Sequence, residues 1–140
     1  MFIVDTNVLS NAMTSDPAPA VAAWIAGQTP ELLFTTSICQ AEILSGIAVL
    51  PQGRRRASLE MAAHALFRED FAGRVLPFDG EAAIAYAEVF SARRRAGRPG
   101  TTADLMIAAI ARAKGASVVT RDIGDFEDCG IALIDPWKAG

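Results

Sequence analysis

Short apolar runs alternate with longer stretches of helical period along the chain, from its first residues to its last. Phe2-Ile3-Val4 is a continuous apolar run that stops at Asp5, the pattern of a strand buried on both faces. Thr6-Asn7 offers caps for a helical turn carrying Val8, Leu9 and Met13. Asp16-Pro17 reads as an N-cap with proline at the first helical position. Val21, Trp24 and Ile25 follow at i, i+3, i+4, giving a short amphipathic helix that closes near Gly27. Residues 32–36 form the second predicted strand, and Ser37-Ile38-Cys39-Gln40 has the form of a capping box opening a helix to about Leu50. Beyond the Pro51-Gln52-Gly53 break, a longer helix sets Leu59, Ala63, Leu66, Phe67 and Phe71 along one side and ends at Gly73. Residues 75–79 are a third strand, which Pro77 assigns to an edge. Two helices follow, over 81–96 and behind the Thr101-Thr102 cap. The second is apolar nearly all round and so is expected to be buried on most sides. Residues 117–120 and 131–134 are the fourth and fifth strands.

Strands separated by helices along the whole chain predict an α/β fold, a three-layer α/β/α sandwich around a mainly parallel, roughly five-stranded sheet. The 140 residues are expected to form a single domain, and a hydrophobic content of 51% supplies its core. Charged residues at 21% exclude a disordered tail protein, and 13 basic against 16 acidic residues give no bulk positive field for nucleic acid. Cys39 and Cys129 match neither a CxxC motif nor a disulfide framework and are expected as reduced, packed thiols. The single histidine, His64, is expected on a helix surface; it excludes paired-histidine zinc sites and has no nucleophile elbow beside it. No apolar run approaches the roughly 18 residues of a membrane helix, and no signal-peptide core follows Met1, so a cytoplasmic location is expected.

In open parallel sheets, ligands sit beyond the carboxyl ends of the strands. Asp5 closes the first strand and Asp122 follows the fourth. Glu42 falls near the first turn of the helix after the second strand, and Asp104 in the first turn of the apolar helix. Taken singly, Asp104 reads equally well as part of a cap, Asp122 as a turn residue and Glu42 as a solvated helix position. Asp5, between a buried strand and Thr6-Asn7, needs a partner. Two unit charges ~4 Å apart cost roughly 4 kcal/mol at an effective dielectric near 20, so four acids on one rim must bind cations or hold protons. An all-oxygen donor set suits Mg²⁺ or Mn²⁺ rather than zinc or copper. Such a site supports metal-dependent phosphodiester hydrolysis without a protein nucleophile.

Asp5-Thr6-Asn7-Val8-Leu9-Ser10, Ala41-Glu42-Ile43 with Gly46 one turn on, Ala103-Asp104, Thr120-Arg121-Asp122 and the closing Asp135-Pro136-Trp137 together resemble the PIN-domain ribonucleases. Within them the chain is most similar to the VapC and FitB toxins of bacterial toxin–antitoxin pairs, over essentially its whole length. The resemblance implies a Mg²⁺- or Mn²⁺-dependent endoribonuclease site with Asp5, Glu42, Asp104 and Asp122 as the acidic quartet, Asp5 and Asp104 nearest the metal. It implies that Thr120 hydrogen-bonds Asp5 or a metal water, and that Thr6 and Asn7 order the first loop. Many relatives carry Asn at the position of Asp122 and a further acid where this chain has Asp125, so both are candidates, with Asp122 ranked first. A homodimer is implied, with a small VapB/FitA-like antitoxin filling the active-site groove and DNA reached only through it.

Eleven of the thirteen basic residues are arginine, whose fork suits phosphate. Arg121, adjacent to the proposed site, and Arg94 and Arg98 above the helix led by Asp104 are the candidate RNA contacts, against the reading of Arg93-Arg94-Arg95 as a solvated helix face. Few aromatic residues are available for base stacking, so sequence-specific reading of bases is not expected. A phosphoacceptor receiver domain is disfavoured because the second strand closes without an acid and Lys114 lies in a helix. A haloacid-dehalogenase-type phosphatase needs DxDxT where this chain has Asp5-Thr6-Asn7. A non-catalytic PIN-like interaction module, or an antitoxin-bound DNA-associated regulatory subunit, remains the alternative.

Overall fold

The computed structural model describes residues 1–138. Its strands are β1 (Phe2–Val4), β2 (Leu33–Thr36), β3 (Val75–Leu76), β4 (Ser117–Val119) and β5 (Leu133–Ile134). All neighbouring pairs are parallel, in the order β3-β2-β1-β4-β5. The helices are α1 (Thr6–Ala12), α2 (Pro19–Ala26), α3 (Ser37–Ala48), α4 (Arg54–Ala65), α5 (Gly80–Arg95) and α6 (Thr102–Lys114).

The strand order dictates where a ligand can sit. The chain steps outward from β1 to β2 to β3, then returns across β1 to build β4 and β5 on the other side. Right-handed crossovers therefore put α1–α4 over one face and α5–α6 over the other. The packing follows suit: α1 contacts α2 and α3, α3 contacts α4, and α5 lies along α6, while α3 and α6 also touch. Connections diverge after β1 and β4, which opens a crevice at the carboxyl ends of these two central strands.

Local chemistry sets the element boundaries. Asp5, with extended φ, ψ of −77°, 163°, is itself the cap of α1, one residue before the expected Thr6. Thr36 likewise caps α3 ahead of the expected Ser37, accepting from the Cys39 N–H at 3.1 Å. Asp16-Pro17 does not start α2; Pro19 does, at its first position, with no side-chain cap. The helix expected to run on to Gly73 ends at Ala65 and continues as a wider π turn over Leu66–Asp70, closed by Phe71 N–H to Leu66 O. Bulky Leu66, Phe67 and Phe71 are thereby buried together. Gly115 ends α6 in the left-handed conformation, φ 64°, where a side chain would be strained. β3 is an edge strand of two residues followed directly by Pro77, and β5 is shorter than its apolar run.

The core lies between β1, β4 and α6. Ile3, Val118, Val119, Ile107, Ala108, Ala109 and Ala111 are fully enclosed, and the buried Thr35 hydroxyl donates to Val4 O at 2.9 Å. Cys39 and Cys129 are free, buried thiols, and His64 is exposed on α4. Among the described residues, no helix is long and apolar enough to cross a membrane.

Ile3 in the central strand cannot shrink without leaving a cavity. Ile3→Ala is expected to lower the unfolding free energy by about 2–5 kcal/mol in urea titration. Ile84→Ala, at a side chain 70% exposed on α5, is expected to change it by less than ~0.5 kcal/mol.

Candidate active site

The crevice between β1 and β4 is where the acids meet. Asp5 leaves β1 with its backbone N–H still donating to Val119 O at 2.9 Å, so its side chain is placed by sheet pairing as well as by α1. It is 5% exposed. Its Oδ1 accepts from the Thr6 N–H at 2.8 Å, and its Oδ2 from the Thr120 hydroxyl at 2.8 Å and the Asn7 amide at 3.3 Å. The Cys39 thiol, in the first turn of α3, lies 4.0 Å from Oδ1.

Asn7 ties the two strand ends together. Its Nδ2 also donates to Asp122 Oδ2 at 2.9 Å and reaches Thr120 Oγ1 at 3.3 Å, while its Oδ1 accepts from the Arg121 N–H at 3.2 Å. Thr120 Oγ1 accepts in turn from the Asp122 N–H at 3.1 Å. Thr6 turns the other way and donates to Glu42 Oε1 at 2.7 Å. Asp104 stands in the first turn of α6, its N–H bonded to Thr101 Oγ1 at 3.2 Å. Asp5, Glu42, Asp104 and Asp122 thus share one rim, with Asp5 buried, Asp104 partly buried, and Glu42 and Asp122 open to water. Asp125 lies in the short turn Ile123–Asp125, exposed and outside the Asn7 network.

The charges feel one another. Burial pushes the Asp5 carboxyl up from 3.8 to about 6; the Thr120 and Thr6 hydrogen bonds oppose this, and Asp104 and Glu42 add to it. Asp104 is also pushed up, first by burial and then by Asp125, Glu42 and Asp122, against its bond with Thr101. Asp125 is the foremost charged neighbour of Asp104, whereas Asp122 is the acid linked to Asp5 through Asn7 and Thr120. Ion pairs engage Glu60, Glu88, Glu127 and Asp128; among the described residues, neither the four rim acids nor Asp125 is in one.

This uncompensated negative charge, presented only by oxygens, fits a hard divalent cation. Among the described residues, no three His, Cys, Asp or Glu side chains converge as a ready-made cage. Mg²⁺-type cations are commonly held by one or two carboxylates and keep several waters, so they need no such cage. At the rim Glu42 and Asp122 are exposed; a cavity of about 460 Å³ lined by Val8, Leu9, Ile25, Leu66 and Phe71 lies apart and includes none of these acids.

The arginines divide sharply. Arg93 is buried, and its Nη1 donates to Gly124 O at 3.0 Å and Glu127 O at 2.9 Å while its Nε has no partner. It is therefore not part of a solvated face but pins the loop that carries Asp125. Arg98 serves the same loop, bonded to Glu127 at 2.6 Å and Gly124 O at 3.1 Å, so its guanidinium is already committed. Arg94 is exposed and lies over the Phe90 ring. Arg121 is exposed with its guanidinium over Trp137. Arg93 and Cys39 were not legible as site-supporting residues, because an arginine triplet and a lone cysteine carry no mark of which member turns inward.

The PIN domain family model matches residues 2–130. The chain is 43% identical over 139 residues to the plasmid stability protein StbB of Pseudomonas syringae pv. tomato, covering 99% of this chain and 100% of that protein. It is 39% identical over 138 residues to the VapC ribonuclease Y4jK of Sinorhizobium fredii, covering 99% of both. The structure of FitAB bound to an IR36 DNA fragment matches with a TM-score of 0.93 at 34% identity, over 100% of this chain and 98% of that one.

An acid whose folded pKa is raised holds its proton more tightly folded than unfolded, so its protonated form favours the fold. For Asp5 this stability is fully present below pH 3.8 and is lost as pH rises through about 6, an effect of about 3 kcal/mol. Asp5→Asn is therefore expected to raise the stability of the metal-free chain at pH 7 and to flatten its fall between pH 4 and 6, as read from urea unfolding at each pH.

Proposed function

The chain belongs to the PIN-domain family, and from that premise we propose that it is a Mg²⁺- or Mn²⁺-dependent endoribonuclease, the VapC/FitB-type toxin of a toxin–antitoxin pair. The observation that carries this reading is Asp5: a buried carboxylate at the crevice between the central strands, ringed by further acids and paired with no cation among the described residues.

The chain's own groups divide the work of phosphodiester hydrolysis. Thr6, Asn7 and Thr120 hold Asp5 in one orientation through their donors, and Thr6 fixes Glu42 at the same time. Asp5 and Asp104 would hold the cation, with Glu42 and Asp122 completing the quartet. When bound, a divalent cation lowers the pKa of water and offsets the charge that builds on the phosphate. Glu42, exposed and tethered by Thr6, accepts a proton from the attacking water. The first turn of α6 offsets part of the cost of negative charge at Asp104. Arg121, and more peripherally Arg94, meet the RNA backbone.

An open rim rather than a closed cavity suits a polymeric substrate. The same rim is the groove that a small VapB/FitA-like antitoxin covers, and DNA is reached only through that partner. The toxin acts in the cytoplasm as a homodimer of single PIN-like domains.

Purified chain is expected to cleave RNA with Mg²⁺ or Mn²⁺ and to stop in EDTA. Asp5→Asn is expected to lower the rate by about 100-fold or more while its circular dichroism stays that of the wild type. Cleavage that survives EDTA, or full activity in the variant, overturns the assignment. The two loop acids are separated by calorimetric titration of Mn²⁺: Asp122→Asn is expected to weaken binding more than Asp125→Asn, and equal or reversed losses refute that order.

A further inference from the structure

The acidic rim leaves the closing Asp135-Pro136-Trp137 without a role. β4 and β5 pair in register at Val119 and Ile134, and the Thr120 N–H continues the ladder to Ile134 O at 2.9 Å. The segments that leave these two strands therefore emerge side by side. Asp135 turns the second one, its Oδ1 accepting from the Trp137 N–H at 2.9 Å. The indole packs partly buried against the core, and the Arg121 guanidinium lies over it, 4.9 Å from the ring centre. Arg121 is fixed at its backbone as well, through its bond to Asn7 Oδ1.

What calls for explanation is the company this arginine does not keep. It is adjacent in sequence to Asp122 and bonded to the residue that binds Asp5, yet among the described residues it forms no ion pair. Arg56, Arg98 and Arg112 all do, and Arg93 is spent on carbonyls. We propose that Trp137 is a positioning residue that holds the Arg121 guanidinium off the acids and open to a backbone phosphate of single-stranded RNA crossing the rim.

The inference rests on the ribonuclease reading and adds the residue that makes its phosphate contact available. Tryptophan gives the strongest cation–π platform among the side chains. A guanidinium lying over a ring keeps its edge N–H donors available, and their fork matches a phosphate. An arginine already stacked loses less rotamer freedom on binding. Released from the ring, the same side chain is free to pair with Asp122 and to cancel one of the charges on which the cation site depends.

The test is binding of a fluorescein-labelled oligouridine in EDTA, read by fluorescence anisotropy at several salt concentrations, so that neither cleavage nor metal contributes. Arg121→Gln is expected to weaken binding about tenfold and to lower the salt slope by about 0.7, the loss of one phosphate contact. Trp137→Leu is expected to reproduce most of that loss and the same change of slope, while Trp137→Phe, which keeps a ring, stays within about twofold of wild type. The Trp137→Leu/Arg121→Gln double variant is expected to bind no worse than Arg121→Gln alone. A lower melting temperature in Trp137→Leu with unchanged affinity and slope, or losses that multiply in the double variant, overturns the proposal. Failure of the wild-type chain to cleave RNA with Mg²⁺ or Mn²⁺ overturns the ribonuclease reading and this inference with it, whereas failure to bind oligouridine in EDTA with normal cleavage overturns this inference alone. Normal metal-dependent cleavage alongside unaltered binding by the Trp137 variants overturns this inference alone.

Discussion

The carboxylate of Asp5 is the point on which the architecture turns. It ends the central strand, caps the first helix and accepts the hydroxyl of Thr120 from the neighbouring strand, and it does so almost without contact with water. A charge in that position is expensive; Asp104 and Glu42 raise the cost, and the Thr120 and Thr6 hydrogen bonds relieve only part of it. The donors around it fix its direction but supply no counter-charge. The protein therefore carries at its centre a group whose surroundings are complementary to a cation that the chain itself does not provide. Strand order, capping and acid placement all converge on that mismatch, which is the signature of a functional site rather than of optimised stability.

Much of this could be read from the sequence because its strongest signals are local. The runs around Ile3, Phe34, Val118 and Leu133 stop abruptly, and α1, α3, α5 and α6 bear side-chain caps, so a parallel sheet and its ligand-binding end follow from pattern alone. The apolar α6 was legible for the same reason: nearly all its positions are small or aliphatic. Cap positions slipped by one residue where two adjacent residues can each serve, as at Asp5-Thr6 and Thr36-Ser37, since only the backbone angles decide between them. The π turn after Ala65 was not legible, because it answers to the packing of Leu66, Phe67 and Phe71 rather than to any breaker residue.

The arginines mark where local reading ends. Arg93, Arg94 and Arg95 are indistinguishable as letters, yet the first is enclosed and bonded to loop carbonyls while the second is exposed. Arg98, a candidate for substrate, is paired with Glu127 and Asp128. Burial and partnership are properties of the assembled fold, and for long charged side chains they depend on which way a helix faces. The modest net charge of −3 takes on a different sense in this light. Several acids are gathered at one rim without counter-charge, while several bases are absorbed into structure.

Thr120 meets Asp5 across 115 positions of sequence, and Asn7 meets Asp122 across the same number. A ribosome must therefore deliver the chain as far as Asp122 before these contacts can form, and long-range pairing of parallel strands is slow even then. Until β4 is made, Asp5 has neither its second strand nor its hydroxyl donor. Nascent chains that stop short of β4 carry the first half of the rim and cannot close it, so the order of synthesis withholds the finished site until Thr120 and Asp122 are made.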